Sequence, residues 1–106
     1  MIYYVDIDGT ICQNTQGKYD QAIPDHDRIA AINKLYDSGH TIVYWTARGS
    51  NTGIDWTDLT TKQIKDWGAK CHDIKMWKPH FDYYICDKSI HSETFFKFIN
   101  QKENKS

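Results

Sequence analysis

The run Ile2-Tyr3-Tyr4-Val5 passes without a break into Asp6-Ile7-Asp8-Gly9-Thr10, and no other junction constrains the chain as strongly. A continuous stretch of β-branched and aromatic residues is the pattern of a strand buried on both faces, as in a parallel sheet. Gly9 and Thr10 supply a turn, so the two carboxylates at i and i+2 can be aimed out of the strand end together. With 106 residues, 40% apolar and 25% charged, the chain is read as one globular domain over 1–101 and a polar tail over 102–106.

Downstream, strand-like and helix-like segments alternate. The 11–23 stretch is polar and aperiodic and reads as a loop. Pro24-Asp25 opens a helix carrying Ile29, Ile32, Leu35 and Tyr36 at helical spacing, and Ser38-Gly39 closes it. Thr41 to Trp45 is a second strand ending at Thr46. Trp56, Leu59, Ile64 and Trp67 keep to one helical face, which predicts a helix from Asp55 to Trp67, stopped by Gly68. A short strand over 70–74 and a fourth over 81–86 (Phe81-Asp82-Tyr83-Tyr84-Ile85-Cys86) follow, and Ile90, Phe95, Phe98 and Ile99 mark a last helix. This order implies βαβ units, hence an α/β fold with a mostly parallel sheet and helices on its faces.

Ligands of such sheets sit at the carboxyl ends of the strands. Asp6, Asp8, Thr46, Lys75 or Lys78, and Asp87 all fall at or just beyond such ends. Paired carboxylates can divide nucleophilic or metal-binding work from proton transfer. A phosphoryl group further asks for a hydroxyl donor, a cation and usually Mg²⁺, which Thr46, a lysine and Asp87 could supply. Each residue alone has an ordinary account: a strand-end Asp caps a turn, a Thr donates locally, a Lys is solvated. Together at successive strand ends they describe a phosphoryl-transfer site.

Several classes are disfavoured. No apolar stretch approaches the roughly 20 residues of a membrane span, and Met1 to Val5 has no basic leader, so the expected location is the cytoplasm. A net charge of −1 with scattered Lys and Arg disfavours a nucleic-acid partner. Cys12, Cys71 and Cys86 form no Cys-x-x-Cys pair and are expected as free thiols. Cys71, His72, His80, Cys86 and His91 lie close in sequence, but adjacent Cys71 and His72 would face opposite sides of a strand, against a zinc site.

Asp6-Ile7-Asp8-Gly9-Thr10 after Tyr-Tyr-Val resembles motif I of the haloacid dehalogenase-like hydrolase superfamily. Its second motif, a Thr ending the second strand, is matched by Thr46; its third, a Lys, by Lys78 in Lys78-Pro79, with Lys75 as competitor; its fourth, an acid at a strand end, by Asp87. The resemblance covers nearly the whole chain. It implies a minimal Rossmann-like parallel sheet of order 3-2-1-4 without a cap domain, and a Mg²⁺-dependent phosphomonoesterase. Asp6 would form an aspartyl phosphate and Asp8 would protonate the leaving oxygen, then activate water. Thr46, Lys78, Ala47 and Gly9 would hold the phosphate, while Asp6, Asp8 (through its carbonyl) and Asp87 would hold Mg²⁺. Arg48 and Trp77 are candidate substrate contacts, although a turn arginine is commonly just exposed. One departure stands out: relatives often read Ile-Asp-Asp-Lys where this chain has Ile85-Cys86-Asp87-Lys88, so an acid is replaced by a thiol.

The run Thr46-Ala47-Arg48-Gly49 with Asp55-Trp56-Thr57 is similar to small phosphatases of surface-polysaccharide biosynthesis, which implies a sugar phosphate substrate. An uncapped cleft suits a large substrate end or a second subunit that covers it, so a homo-oligomer is compatible. The rivals are a polynucleotide 3′-phosphatase, which calls for a basic face, and a non-catalytic phosphate- or metal-binding module, motivated by Cys86. A receiver domain would need its phosphoacceptor Asp where Thr46 stands.

Overall fold

In the structure, a computed structural model describing residues 1–103, three short parallel strands form the sheet. They are β1 (Ile2–Val5), β2 (Thr41–Trp45) and β3 (Asp73–Lys75), in the order β1-β2-β3. Ile2 is in register with Thr41 and Val5 with Tyr44, while Val43 to Trp45 run beside Asp73 to Lys75. The three helices are α1 (His26–Asp37), α2 (Thr57–Asp66) and α3 (Ser92–Glu103), and a single 3-10 turn, Tyr19–Gln21, interrupts the long loop after β1. None of the described helices is long and apolar enough to cross a membrane. The expected polar tail over 102–106 divides: Lys102 and Glu103 end α3, and 104–106 lie outside the described residues.

Local chemistry explains the boundaries. Asp25 caps α1 by accepting from the Arg28 amide at 3.1 Å, and the left-handed Gly39 ends it. Along β2, Ile42 and Tyr44 face one way and Val43 the other, yet all three are buried, so the central strand is covered on both faces. Ile7, Ile11, Ile29, Ile32, Ile64 and Phe96 join Ile42 and Tyr44 in one core. The third strand begins later than expected: Lys70 bonds through its amide to Asn33 Oδ1, and only from Asp73 does the backbone pair as a strand.

The open parallel α/β sheet and its 3-2-1 order agree with the expectation; the fourth strand does not form. Residues 81–86 carry no strand pairing, and Tyr83 and Ile85 are 87% and 96% exposed. Local interactions hold the segment instead: the Phe81 and Tyr84 rings lie 5.4 Å apart, the Lys88 amide donates to Cys86 Sγ, and Ser89 Oγ donates to the Cys86 carbonyl. A β-rich sequence fits a pleated surface but creates no ladder without a strand beside it. β1 is consequently an edge, with no strand among the described residues on the side away from β2.

Candidate active site

Val5 ends β1, and the chain turns at once around Ile7, which is fully buried. The Ile7 carbonyl accepts from the amides of Thr10 and Ile11 at 3.1 and 3.0 Å. Gly9 makes the turn possible at φ +80°, where its amide donates to the Cys12 carbonyl and a Cβ would stand 3.0 Å from the Asn14 side chain. Burying Ile7 sends its neighbours Asp6 and Asp8 away from the core. Asp6 Oδ1 accepts from the Ile7 amide at 2.9 Å.

Thr46 lies at the end of β2, buried, with its amide donating to the Lys75 carbonyl and its carbonyl accepting from the Lys78 amide at 2.9 Å. Ser50 Oγ donates to the Lys78 carbonyl at 2.6 Å, so the backbone of Lys78 is fixed against the β2 end from two directions. Its Nζ stands 5.6 Å from the Trp45 ring centre and 5.4 Å from that of Phe81. Lys75 is engaged elsewhere, with Nζ 3.1 Å from the Tyr4 hydroxyl. Of the two lysines, it is Lys78 whose charge acts on Asp6. Burial pushes the Asp6 carboxyl above the usual carboxylate range; Lys78 opposes this most, followed by the Ile7 amide, while Asp8 adds to the rise and Arg48 opposes it. Asp6, Asp8, Thr46 and Lys78 thus come together at one end of the sheet. Ala47 follows Thr46 in a turn in which its carbonyl accepts from the Ser50 amide.

Arg48 is the largest surprise. The exposed turn residue that its loop suggested is 1% exposed, among the most buried side chains in the molecule. Its Nε and Nη2 grip the two Asp8 oxygens at 2.9 Å each, and Nη1 donates to Thr60 Oγ1 at 3.1 Å and Gln63 Oε1 at 2.6 Å. The guanidinium also lies 4.8 Å from the centre of the Tyr19 ring. This corrects its candidacy as a direct substrate contact: no donor edge is turned outward. Asp8 is held besides by Cys12, whose Sγ lies 3.5 Å from Oδ1; burial and then the Asp8 charge push that thiol up to about 12. Thr60, Gln63 and Tyr19 were not singled out by sequence reasoning. The usable signal was that Thr60 and Gln63 occupy the Trp56–Ile64–Trp67 stripe of α2, where a polar residue must find a buried partner.

Trp77 adopts φ +64° beside Lys78, a conformation uncommon for a bulky residue, and is half-exposed. A surface depression of about 520 Å³ runs from Gly9 and Thr10 to Arg28 and Glu93, beside the acids and not lined by Asp6, Thr46 or Lys78.

Asp87 is not brought to the other acids. It is exposed in the 86–89 turn, its Oδ1 3.8 Å from Cys86 Sγ, and among the described residues no three His, Cys, Asp or Glu side chains are placed to hold a metal ion. With the Asp8 carboxylate taken by Arg48, a single chain leaves Asp6 and the Asp8 carbonyl, too few protein oxygens for the three-residue Mg²⁺ set expected from the sequence. The residues of one chain do not fit that ion.

No family model and no curated protein matches the sequence. Solved structures do. The crystal structure of a Vibrio cholerae target protein superposes with a TM-score of 0.78 at 26% identity, over 98% of this chain and 97% of that one. D,D-heptose 1,7-bisphosphate phosphatase from B. bronchiseptica, crystallised with magnesium and phosphate, gives a TM-score of 0.55 at 20% identity, over 97% of this chain and 63% of its own. The fold is shared with a phosphatase. At the level of the fold this agrees with an open parallel α/β core.

Proposed function

We propose that the chain is a phosphomonoesterase that works through an aspartyl phosphate on Asp6. The reading is carried by one observation: a half-buried carboxylate at the end of β1 feels the charge of Lys78, whose backbone is bonded to that of Thr46. In the proposed reaction an Asp6 oxygen bonds to phosphorus as the bond to the leaving oxygen breaks, and that oxygen takes a proton. Lys78 and the Thr46 hydroxyl offset charge on the phosphoryl oxygens, with Ala47 and Gly9 beside them. Asp8 handles the proton through the lone pairs that Arg48 leaves open, about two of its four acceptor sites. Water then attacks the aspartyl phosphate, releasing inorganic phosphate and restoring Asp6.

The substrate proposed is a sugar phosphate, supported by the sugar bisphosphate substrate in the name of the second structural relative and by the lack of any element between β2 and β3 other than α2. Release of phosphate from an aryl phosphate by wild type and Asp6→Asn is the deciding measurement. Wild type should turn over, and Asp6→Asn should lose at least about a thousandfold in kcat. Unchanged activity in Asp6→Asn would sink the nucleophile. A panel of sugar phosphates, nucleotides and 3′-phosphorylated oligonucleotides then separates this reading from a polynucleotide 3′-phosphatase. The incomplete acid set favours a second reading, a phosphate-binding module without turnover, which predicts phosphate binding and no hydrolysis in the same assay.

A further inference from the structure

Two features of the chain are unsatisfied in complementary ways. The segment Phe81-Asp82-Tyr83-Tyr84-Ile85-Cys86 has the composition of a strand but pairs with nothing, and Phe81, Tyr83, Tyr84 and Ile85 are all exposed. β1 has the composition of an inner strand but is an edge, with Ile2 70% and Tyr4 52% exposed. It also carries none of the devices that protect edges: no Lys, Pro or charge interrupts Ile2–Val5. The site at the end of that same strand gathers two carboxylates, Asp6 and Asp8, and the unpaired segment carries another immediately after its last residue, Asp87.

We infer that two copies of this chain exchange these segments, each laying its 81–86 strand along the β1 edge of the other, and that Asp87 of each copy completes the Asp6 site of its partner. A second copy is the occupant the observations favour because it is self-complementary. Each chain offers both an edge and a strand, so one two-fold arrangement satisfies both at once. In the single chain, the base of the segment is fixed at Lys78 by Thr46 and Ser50, and Glu93 beyond it is tied to Arg28 at 2.8 Å. Between those anchors the segment makes local bonds only and turns its large side chains outward. The apolar area available is adequate: Met1, Ile2 and Tyr4 with Phe81, Tyr83, Tyr84 and Ile85, taken twice, can bury on the order of 1,500 Å², the size of a stable interface. The exchange also accounts for why the acids of one chain do not fit Mg²⁺.

The activity arm of the test rests on the phosphatase reading; the mass arm does not. Light scattering on the full chain should give twice the 12.5 kDa chain mass. Ile85→Asp, harmless to a chain in which that residue is 96% exposed, should return the mass to one chain with unchanged far-UV circular dichroism. Asp6→Asn and Asp87→Asn should each be inactive alone, yet co-expressed they should recover about a quarter of wild-type activity, because half of the pairs are mixed and each mixed pair rebuilds one intact site. A single-chain mass for wild type, an Ile85→Asp variant that stays paired, or a paired protein without recovery in the mixed variants overturns the exchange. Wild type that pairs, and separates with Ile85→Asp, but hydrolyses nothing supports the exchanged strand while rejecting the phosphatase.

Discussion

At the scale of single residues, Arg48 decides the character of the site. A guanidinium with almost no exposure is stable because four of its five N–H donors are met, two by Asp8 and one each by Thr60 and Gln63, while Tyr19 covers a face. Removing one side of a buried pair leaves the other charged and unpaired, so Arg48→Met should lower stability by about 3–5 kcal/mol in urea unfolding. Arg48→Lys keeps the charge but not the fork, and should fall between that variant and wild type. A loss below about 0.5 kcal/mol for Arg48→Met would show that the pair is not the anchor described. The sequence placed Arg48 in a loop and could not place it in the interior. Its partners lie 12 to 40 positions away, and an arginine is buried or exposed according to them rather than to its neighbours.

At the scale of elements, what could be read was what repeats locally. α1, α2 and α3 announced themselves by helical spacing and by their stops, and β1 and β2 by unbroken apolar runs, because those signals are intrinsic to a few consecutive residues. The 81–86 run carried the same signal and failed, since pairing is a property of two strands and no run of consecutive residues encodes which strand will lie beside it. The loop between β2 and α2 shows the reverse case, a small residue with a tight structural demand. Gly49 sits at φ +83°, and a Cβ there would collide with the Ile54 carbonyl. Gly49→Ala must therefore move the loop that orients Arg48, and should destabilise by about 2 kcal/mol or more in denaturant titration. Gly53, equally left-handed but with open space around it, should tolerate Ala at a smaller cost.

At the scale of the whole molecule, the site is held at the expense of stability. Burial raises the Asp6 carboxyl above its ordinary value, so folding favours its protonated form. The stability this proton brings is complete below the unfolded-state value and is lost as pH rises through the higher folded-state value; above that, a buried charge is a standing cost. Asp6→Asn removes the charge. Thermal melts should show the variant a few degrees above wild type at neutral pH, with the gap shrinking as pH falls through the carboxylate range. A gap independent of pH would assign the difference to something other than ionisation of Asp6.

Tyr19 lies in the loop that follows the acids, and its carbonyl accepts from Gln63 at 2.7 Å while its ring covers Arg48 and meets Trp56 edge-on at 5.2 Å. The loop, the helix and the arginine therefore form one connected assembly that ends at Asp8. Under the proposed reaction, a substrate that settled against residues 13–23 would press on the same assembly that holds the Asp8 carboxylate, so that recognition of its body and alignment of the proton-handling group would be one mechanical event.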